Sequence, residues 1–346
     1  MLQVAVGSID SCGVRTNGSI WCWGSNRAGS LVGGDPSMGG LVAPTQVGTD
    51  TDWVSVATTG DENGSYVQHC AIKRNGQLSC WGWQDAYPPA PLAVAGPWSS
   101  VSAHGDQVCG IRQGAIYCWG RRLDVTGPSN MPQQIGVDTD WKSMSSGDFH
   151  ACALKQSGGL YCWGASRMGQ LGQGGAAPTS DMHPFDPIRV GTDSDWSAVE
   201  SGLLHSCGLK TSGAVYCWGN NDYGALGDAT SMMQTGPVRA GAATNWTQLA
   251  LGNRSTCAIN KDKQLWCWGQ IASFLRTGSQ ATLDVQPPLQ IGTEHVWKSV
   301  AVGITHACAL TDAGATFCFG DPNSGGLLGD GTGASHMGPF AVRVSM

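Results

Sequence analysis

Fourteen cysteines offer the most chemistry in this 346-residue chain, and their spacing is regular. They fall into seven pairs: Cys12/Cys22, Cys70/Cys80, Cys109/Cys118, Cys152/Cys162, Cys207/Cys217, Cys257/Cys267 and Cys308/Cys318. Six pairs are ten residues apart and the third is nine apart. Two thiols that meet across a hairpin can oxidise to a disulfide, supply half of a zinc site, or pack as small hydrophobes. Zinc is the weakest reading, because no Cys-x-x-Cys is present and one hairpin gives only two ligands. In the fourth pair a loop centred on Ser157 sets Lys155 opposite Gly159, Leu154 opposite Leu160 and Cys152 opposite Cys162. In the third, the turn shrinks to Gln113-Gly114, a two-residue hairpin, and Cys109 still faces Cys118. Opposed residues lie within disulfide reach. The register therefore predicts seven cross-strand disulfides; buried free thiols are the alternative.

Other reactive side chains point away from catalysis. His150, His205 and His306 each stand two residues before a cysteine, and His69 one before. A catalytic histidine is not repeated in equivalent units, so these read as structural hydrogen-bonding groups. No Gly-x-Ser-x-Gly elbow, phosphate-binding loop or His-Glu-x-x-His occurs. Pairing leaves no cysteine as a nucleophile. The chain reads as a non-enzyme with no catalytic residues, metal ligands or cofactor. Asp50, Asp52, Asp138, Asp140, Asp193 and Asp195 precede Trp53, Trp141 and Trp196 in Asp-x-Asp-Trp phrases, and with Glu294 they form a discontinuous acidic rim. Such a rim attracts Ca²⁺ or a basic partner, although Asx-turn and strand-start roles explain the same residues. Met182-His183 and His336-Met337 have soft-metal character, but they belong to repeats that are not neighbours in a ring.

The elements that must position these groups recur. The residue after the second cysteine is Trp23, Trp81, Trp119, Trp163, Trp218, Trp268 and finally Phe319, which gives a period of about 49 residues. Each repeat reads as four short strands: a Trp-x-x-Val/Met stretch such as Trp196–Val199, one strand for each cysteine, and a run such as Pro44–Val47 or Pro187–Val190. Gly, Asn and Asp separate them. The expected fold is all-β: a seven-bladed β-propeller of four-stranded antiparallel blades with intra-blade disulfides, occupying residues 1–346 as one domain. Pro339–Val344 either pairs with Leu2–Val6 or ends a complete seventh blade.

Composition agrees. Charged residues are 13%, with three glutamates and seven lysines, which disfavours long helices and coiled coils; the 41% apolar content disfavours disorder. A net charge of −6 argues against nucleic acid as partner. No apolar run approaches a membrane span. No signal peptide is visible, yet seven disulfides imply an oxidising compartment. The expectation is a secreted or periplasmic protein whose leader lies outside this sequence.

Several phrases resemble a known repeat. Met144-Ser-Ser-Gly147-Asp-Phe-His150-Ala, Val199-Glu-Ser-Gly202-Leu-Leu-His205-Ser and Val300-Ala-Val-Gly303-Ile-Thr-His306-Ala are similar to the signature of the regulator-of-chromosome-condensation repeat. So are Trp163-Gly164-Ala-Ser-Arg-Met-Gly169-Gln-Leu171-Gly172 and Trp218-Gly219-Asn-Asn-Asp-Tyr-Gly224-Ala-Leu226-Gly227-Asp228. The resemblance extends over essentially the whole chain and implies a seven-bladed propeller. Members of that family include exchange factors on chromatin, plant ultraviolet photoreceptors and secreted bacterial β-lactamase inhibitors, so fold does not fix function. Cysteine replaces an aliphatic residue of the signature at Cys152, Cys207 and Cys308, which favours the cysteine-rich, secreted bacterial-type branch over a nuclear exchange factor. The photoreceptor's Gly-Trp-Arg-His-Thr phrase is absent.

In such a blade the loops between strands three and four vary in length and share one face, while the hairpin turns and inter-blade links share the other. Rigid scaffolds carry binding residues on variable loops. Met38, Met131, Met168, Met182, Met232, Met233 and Met337 fall in the three–four stretches, and methionine adapts to partner surfaces. With Tyr223, His183 and His336 they are the candidate partner-binding residues. The leading expectation is a monomeric, non-enzymatic scaffold for a protein partner. The alternatives are a carbohydrate-binding lectin, and an enzyme with its site over the central channel.

Overall fold

A computed structural model describes residues 1–26, 30–32, 40–60, 67–82, 85–91, 96–105, 107–120, 129–176, 186–277, 285, 287–320, 326–332 and 342–344. Its described strands form seven four-stranded antiparallel sheets, each ordered as the chain runs. Blade 5 is typical: Trp196–Ser201, His205–Lys210, Val215–Gly219 and Gln234–Arg239. Trp196, Val199, Val215, Tyr216 and Trp218 are the bulky β-formers of these strands, whose two faces press on neighbouring blades. The turns are set by backbone sterics. Gln113 and Gly114 carry φ of 51° and 77°, the two left-handed positions of a tight hairpin.

The cysteine register is as expected. Cys152 pairs Cys162 with Leu154 opposite Leu160, and Cys109 pairs Cys118 with Arg112 opposite Ala115. Every pair read from the spacing is bridged. Cys12 is joined to Cys22, Cys70 to Cys80, Cys152 to Cys162, Cys257 to Cys267 and Cys308 to Cys318, each with Cα atoms 4.1 Å apart. Cys109 is joined to Cys118 and Cys207 to Cys217, with Cα atoms 4.0 Å apart. No cysteine is free, so the alternative of buried thiols falls away. Around the bridges lie the blade cores, for example Cys152, Leu154, Leu160, Cys162, Val190, Trp196 and Trp218 in the seam of blades 4 and 5.

The ring closes without strand exchange. Gln3–Val6 pairs with Asp10–Val14 in blade 1, and Val342–Arg343 pairs with Thr316–Gly320 in blade 7. The seam is packed instead by Met1, Val4, Trp23, Leu310, Leu328 and Val344. Trp23 Nε1 donates to the Leu327 carbonyl at 3.1 Å, and the Met1 backbone nitrogen to the Gly314 carbonyl at 2.8 Å.

Two local features depart from the sequence reading. Met131 lies inside the outermost strand of blade 3, Ser129–Ile135, and not in a loop. The adjacent Pro132 reads as a strand breaker, but an edge strand has one row of N–H groups without partners and tolerates proline. Gln270–Thr277, after the third strand of blade 6, is a helix that buries Ile271, Ala272 and Leu275.

Candidate functional site

The repeated histidines stitch neighbouring blades together. His150 Nε2 lies 2.7 Å from Ser206 Oγ, and His205 Nε2 lies 3.1 Å from Thr256 Oγ1. Each hydroxyl directs its single proton elsewhere: Ser206 donates to the Gln170 carbonyl at 3.0 Å and Thr256 to the Ala225 carbonyl at 2.8 Å. The histidines must therefore donate from Nε2, which fixes a neutral Nε2–H tautomer. Burial agrees, pushing His150 and His205 down to about 3. The same two carbonyls accept the indole N–H of Trp218 at 2.8 Å and Trp268 at 2.9 Å.

The face carrying hairpin turns and links is less acidic than its sequence suggests. Lys73 sits between Asp50 at 2.7 Å and Asp52 at 3.3 Å, and Lys155 between Asp138 at 2.8 Å and Asp140 at 3.0 Å. Lys210 reaches Asp193 at 2.6 Å and also Asp195. Each ammonium lies over the tryptophan that follows its acid pair, at 4.8 Å from Trp53, 5.1 Å from Trp141 and 3.9 Å from Trp196. The aspartates hold Lys73 and Lys155 above the usual lysine range; Lys210 is also raised, burial opposing its two acids. All six aspartates of the rim are thus engaged by the chain's own lysines. Among the described residues, no group of three or more His, Cys, Asp or Glu is placed to hold a metal.

On the opposite face, the three–four loop of blade 5 is described throughout, and one buried side chain organises it. Asn221 Nδ2 lies within 3.0–3.1 Å of Asp228 Oδ1, the Thr230 carbonyl and Oγ1, and the Met232 carbonyl. Its Oδ1 accepts the Leu226 N–H at 3.0 Å. Tyr223 is held at a φ of 63°, with the Arg254 guanidinium from blade 6 at 5.6 Å from its ring. Met232 is left 71% exposed and Met233 38%. In blade 4, Met168 is half-buried in a turn whose Gln170 Oε1 accepts its N–H at 2.8 Å. Met131 is 46% exposed on blade 3. Met38, Met182, His183, His336 and Met337 lie outside the described residues.

The axis holds a cavity of about 670 Å³ lined by the inner strand of every blade. Its wall is divided into two sectors. Opposite the first cysteine stand Ser102, Ser145 and Glu200 in blades 3, 4 and 5, but Ala250, Ala301, Ala5 and Ala57 in blades 6, 7, 1 and 2. Ser145 Oγ donates to Glu200 Oε2 at 3.0 Å and accepts the Ser201 N–H at 3.0 Å. Burial pushes Glu200 up to about 7, against that hydrogen bond. Among the described residues, the titratable side chains of the wall are Glu200, His104 and Lys298.

These hydroxyl, glycine and tryptophan positions recur blade by blade, and comparison with known proteins names the repeat. Two family models described as regulator of chromosome condensation (RCC1) repeats match, one at residues 141–170 and 196–225, the other at 157–209 and 212–259. Residues 141–259 of this chain carry RCC1 repeats. The chain is 28% identical over 253 residues to the ultraviolet-B receptor UVR8 of Arabidopsis thaliana, covering 66% of itself and 55% of the receptor. Against the mitochondrial RCC1 domain-containing protein RUG3 of that plant, identity is 25% over 250 residues, covering 63% and 53%. It spans about half the length of these curated relatives. Among solved structures, Prp20p from Saccharomyces cerevisiae matches with a TM-score of 0.79 at 18% identity, covering 97% of this chain and 88% of that one. Human WBSCR16 gives 0.76 at 17% identity and 95% coverage of each. At such identities the likeness is one of fold.

Proposed function

We propose that this RCC1 propeller is a non-enzymatic scaffold that engages a protein partner through its three–four loop face, in a secreted or periplasmic setting. The observation that carries the reading is the blade 5 loop. A buried asparagine fixes the backbone, so Met232 and Met233 are presented to solvent at little cost in ordering on binding. Methionine side chains then adapt to the partner. The setting is supported by the seven bridged pairs, a density that belongs to oxidising compartments. No described helix is long and apolar enough to cross a membrane. Protein binding has a precedent on this fold: the Prp20p structure was reported with binding to Gsp1p and histones.

The test places a photo-crosslinking amino acid at Met232, Met168 or Val137, the last being 88% exposed on the opposite face. Crosslinks to a discrete protein from 232 and 168, lost on adding Asn221→Ala, are expected. Crosslinks from 137 alone would move the site to the other face.

A further inference from the structure

We propose that the outer cleft between blades 5 and 6 is a binding pocket for a small, neutral aromatic molecule. This seam differs from its sisters. Where the fourth strand meets the start of the third, blades 1, 3, 4, 6 and 7 place Val47, Ile135, Val190, Ile291 and Val344, all buried. Blade 5 places Ala240 there, its N–H bonded to the Val215 carbonyl at 2.9 Å. The lost branch is matched by a gap. Trp53, Trp98, Trp141, Trp196 and Trp297 are buried at the head of their blades, whereas Trp246 is half-buried.

Blade 6 also lacks the charged clasp. Ala243, Asn245 and Asn260 stand where blade 5 has Asp193, Asp195 and Lys210. In blade 7, which has no cation at that position either, His295 and Phe317 pack on Trp297 at 5.2 and 5.8 Å. Blade 6 keeps an open cavity of about 580 Å³ between Trp246, Trp268, Ala240, Ala243, Pro287 and Pro288.

The chemistry of the occupant follows from the walls. The volume is that of a small-molecule site. No described lining residue is charged, so among the described residues a cation finds no counter-ion and an anion no donor cluster. Trp246 and Trp268 are inclined at 50° with centroids 6.0 Å apart, which offers a stacked and an edge contact to one flat ring system. Gly227 lets the wall come close, since a Cβ there would lie 2.9 Å from Trp268 Nε1. The Trp268 N–H is already given to Ala225, but that of Trp246 has no partner among the described residues. It can donate to an acceptor on the ligand.

Prodan, a neutral two-ring ketone whose emission shifts to the blue in apolar surroundings, is the probe. Wild-type protein should show a saturable, single-site blue shift with energy transfer from tryptophan. Ala240→Ile, which installs the branch found in the sister seams, should weaken binding at least tenfold with the melting temperature unchanged or raised. Ala243→Asp, at an exposed position, should weaken it at least fivefold without loss of fold. Non-saturable adsorption, or wild-type affinity in both variants, would overturn the proposal.

Discussion

His306 of the seventh blade and Ser11 of the first meet with Nε2 and Oγ 2.9 Å apart, so the contact that joins blades 4 to 5 and 5 to 6 also closes the ring. The seam between the first and last blades is chemically one more copy of an internal seam. Ser206→Ala should cost about 1–3 kcal/mol, because it strands a buried imidazole N–H. Ser206→Thr should be close to neutral, since Thr256 already serves in blade 6. Urea unfolding of the two variants checks this; equal losses would refute the hydrogen-bond account.

Acid should destabilise the fold early. His69, His150 and His205 are pushed down to about 3 and His306 to about 4 by burial. Unfolded histidine titrates near 6.5, so below that pH the unfolded chain takes up four protons that the native state refuses. His104 on the cavity wall, lowered by burial to about 4, acts on the same side. Asp10 and Glu200 act in the opposite sense: burial raises both to about 7, and the native state keeps their two protons. The stability those two acids provide is lost as pH rises from about 4 to about 7. The histidines outnumber them, so between about pH 6 and 4.5 stability should fall by roughly 3 kcal/mol per unit or more. Asp10→Asn removes one opposing proton and should steepen the slope. A flat profile across that range would contradict this balance.

Each disulfide closes a short loop, so Cys152→Ala with Cys162→Ala should cost about 2–3 kcal/mol on the chain-entropy model. Thiol titration of unreduced, denatured wild-type protein should find no reactive groups, given that every cysteine is bridged.

The lysine clasps should be modest and salt-sensitive. Lys210→Met removes cation–π contacts to Trp196 and Tyr216 and two pairs to exposed acids, for about 1 kcal/mol at low salt and less at high salt. Added Ca²⁺ should leave the wild-type melting temperature unchanged, because Asp193 and Asp195 are already engaged. A rise of several degrees would reveal a cation site at the rim.

Asn221→Ala should release the loop it holds. Amide exchange should quicken across residues 222–233 while the strands of blade 5 stay protected. Uniform loss of protection would show that the side chain supports the blade and not the loop alone.

The propeller is legible in the sequence because its evidence is periodic. Cysteine spacing fixes the hairpin register, and a one-residue deletion at Gln113-Gly114 leaves that register intact. The clasps are equally written but less plain. Asp-x-Asp-Trp and Cys-x-x-Lys occur together in blades 2, 4 and 5, ending in Lys73, Lys155 and Lys210. Their coupling shows only when a phrase from the link is read with one from the next hairpin. The site is least legible. Asn221 takes its role from a backbone that curls round it, and Glu200 differs from Ala250 or Ala301 in consequence only because seven inner strands converge on an axis. Met131 is misread from sequence because an edge strand hides a proline that a central strand would reject.

Every sulfur bridge stays within its own hairpin, from Cys12–Cys22 to Cys308–Cys318, and none crosses from one sector to the next. Oxidation therefore hardens the petals without welding the flower. Pulled from its two ends in a single-molecule trap, the chain should open first where His306 leaves Ser11. It should then shed sectors one at a time, each rupture releasing a length shortened by one covalent knot, and a reductant should lengthen those steps without moving the force of the first.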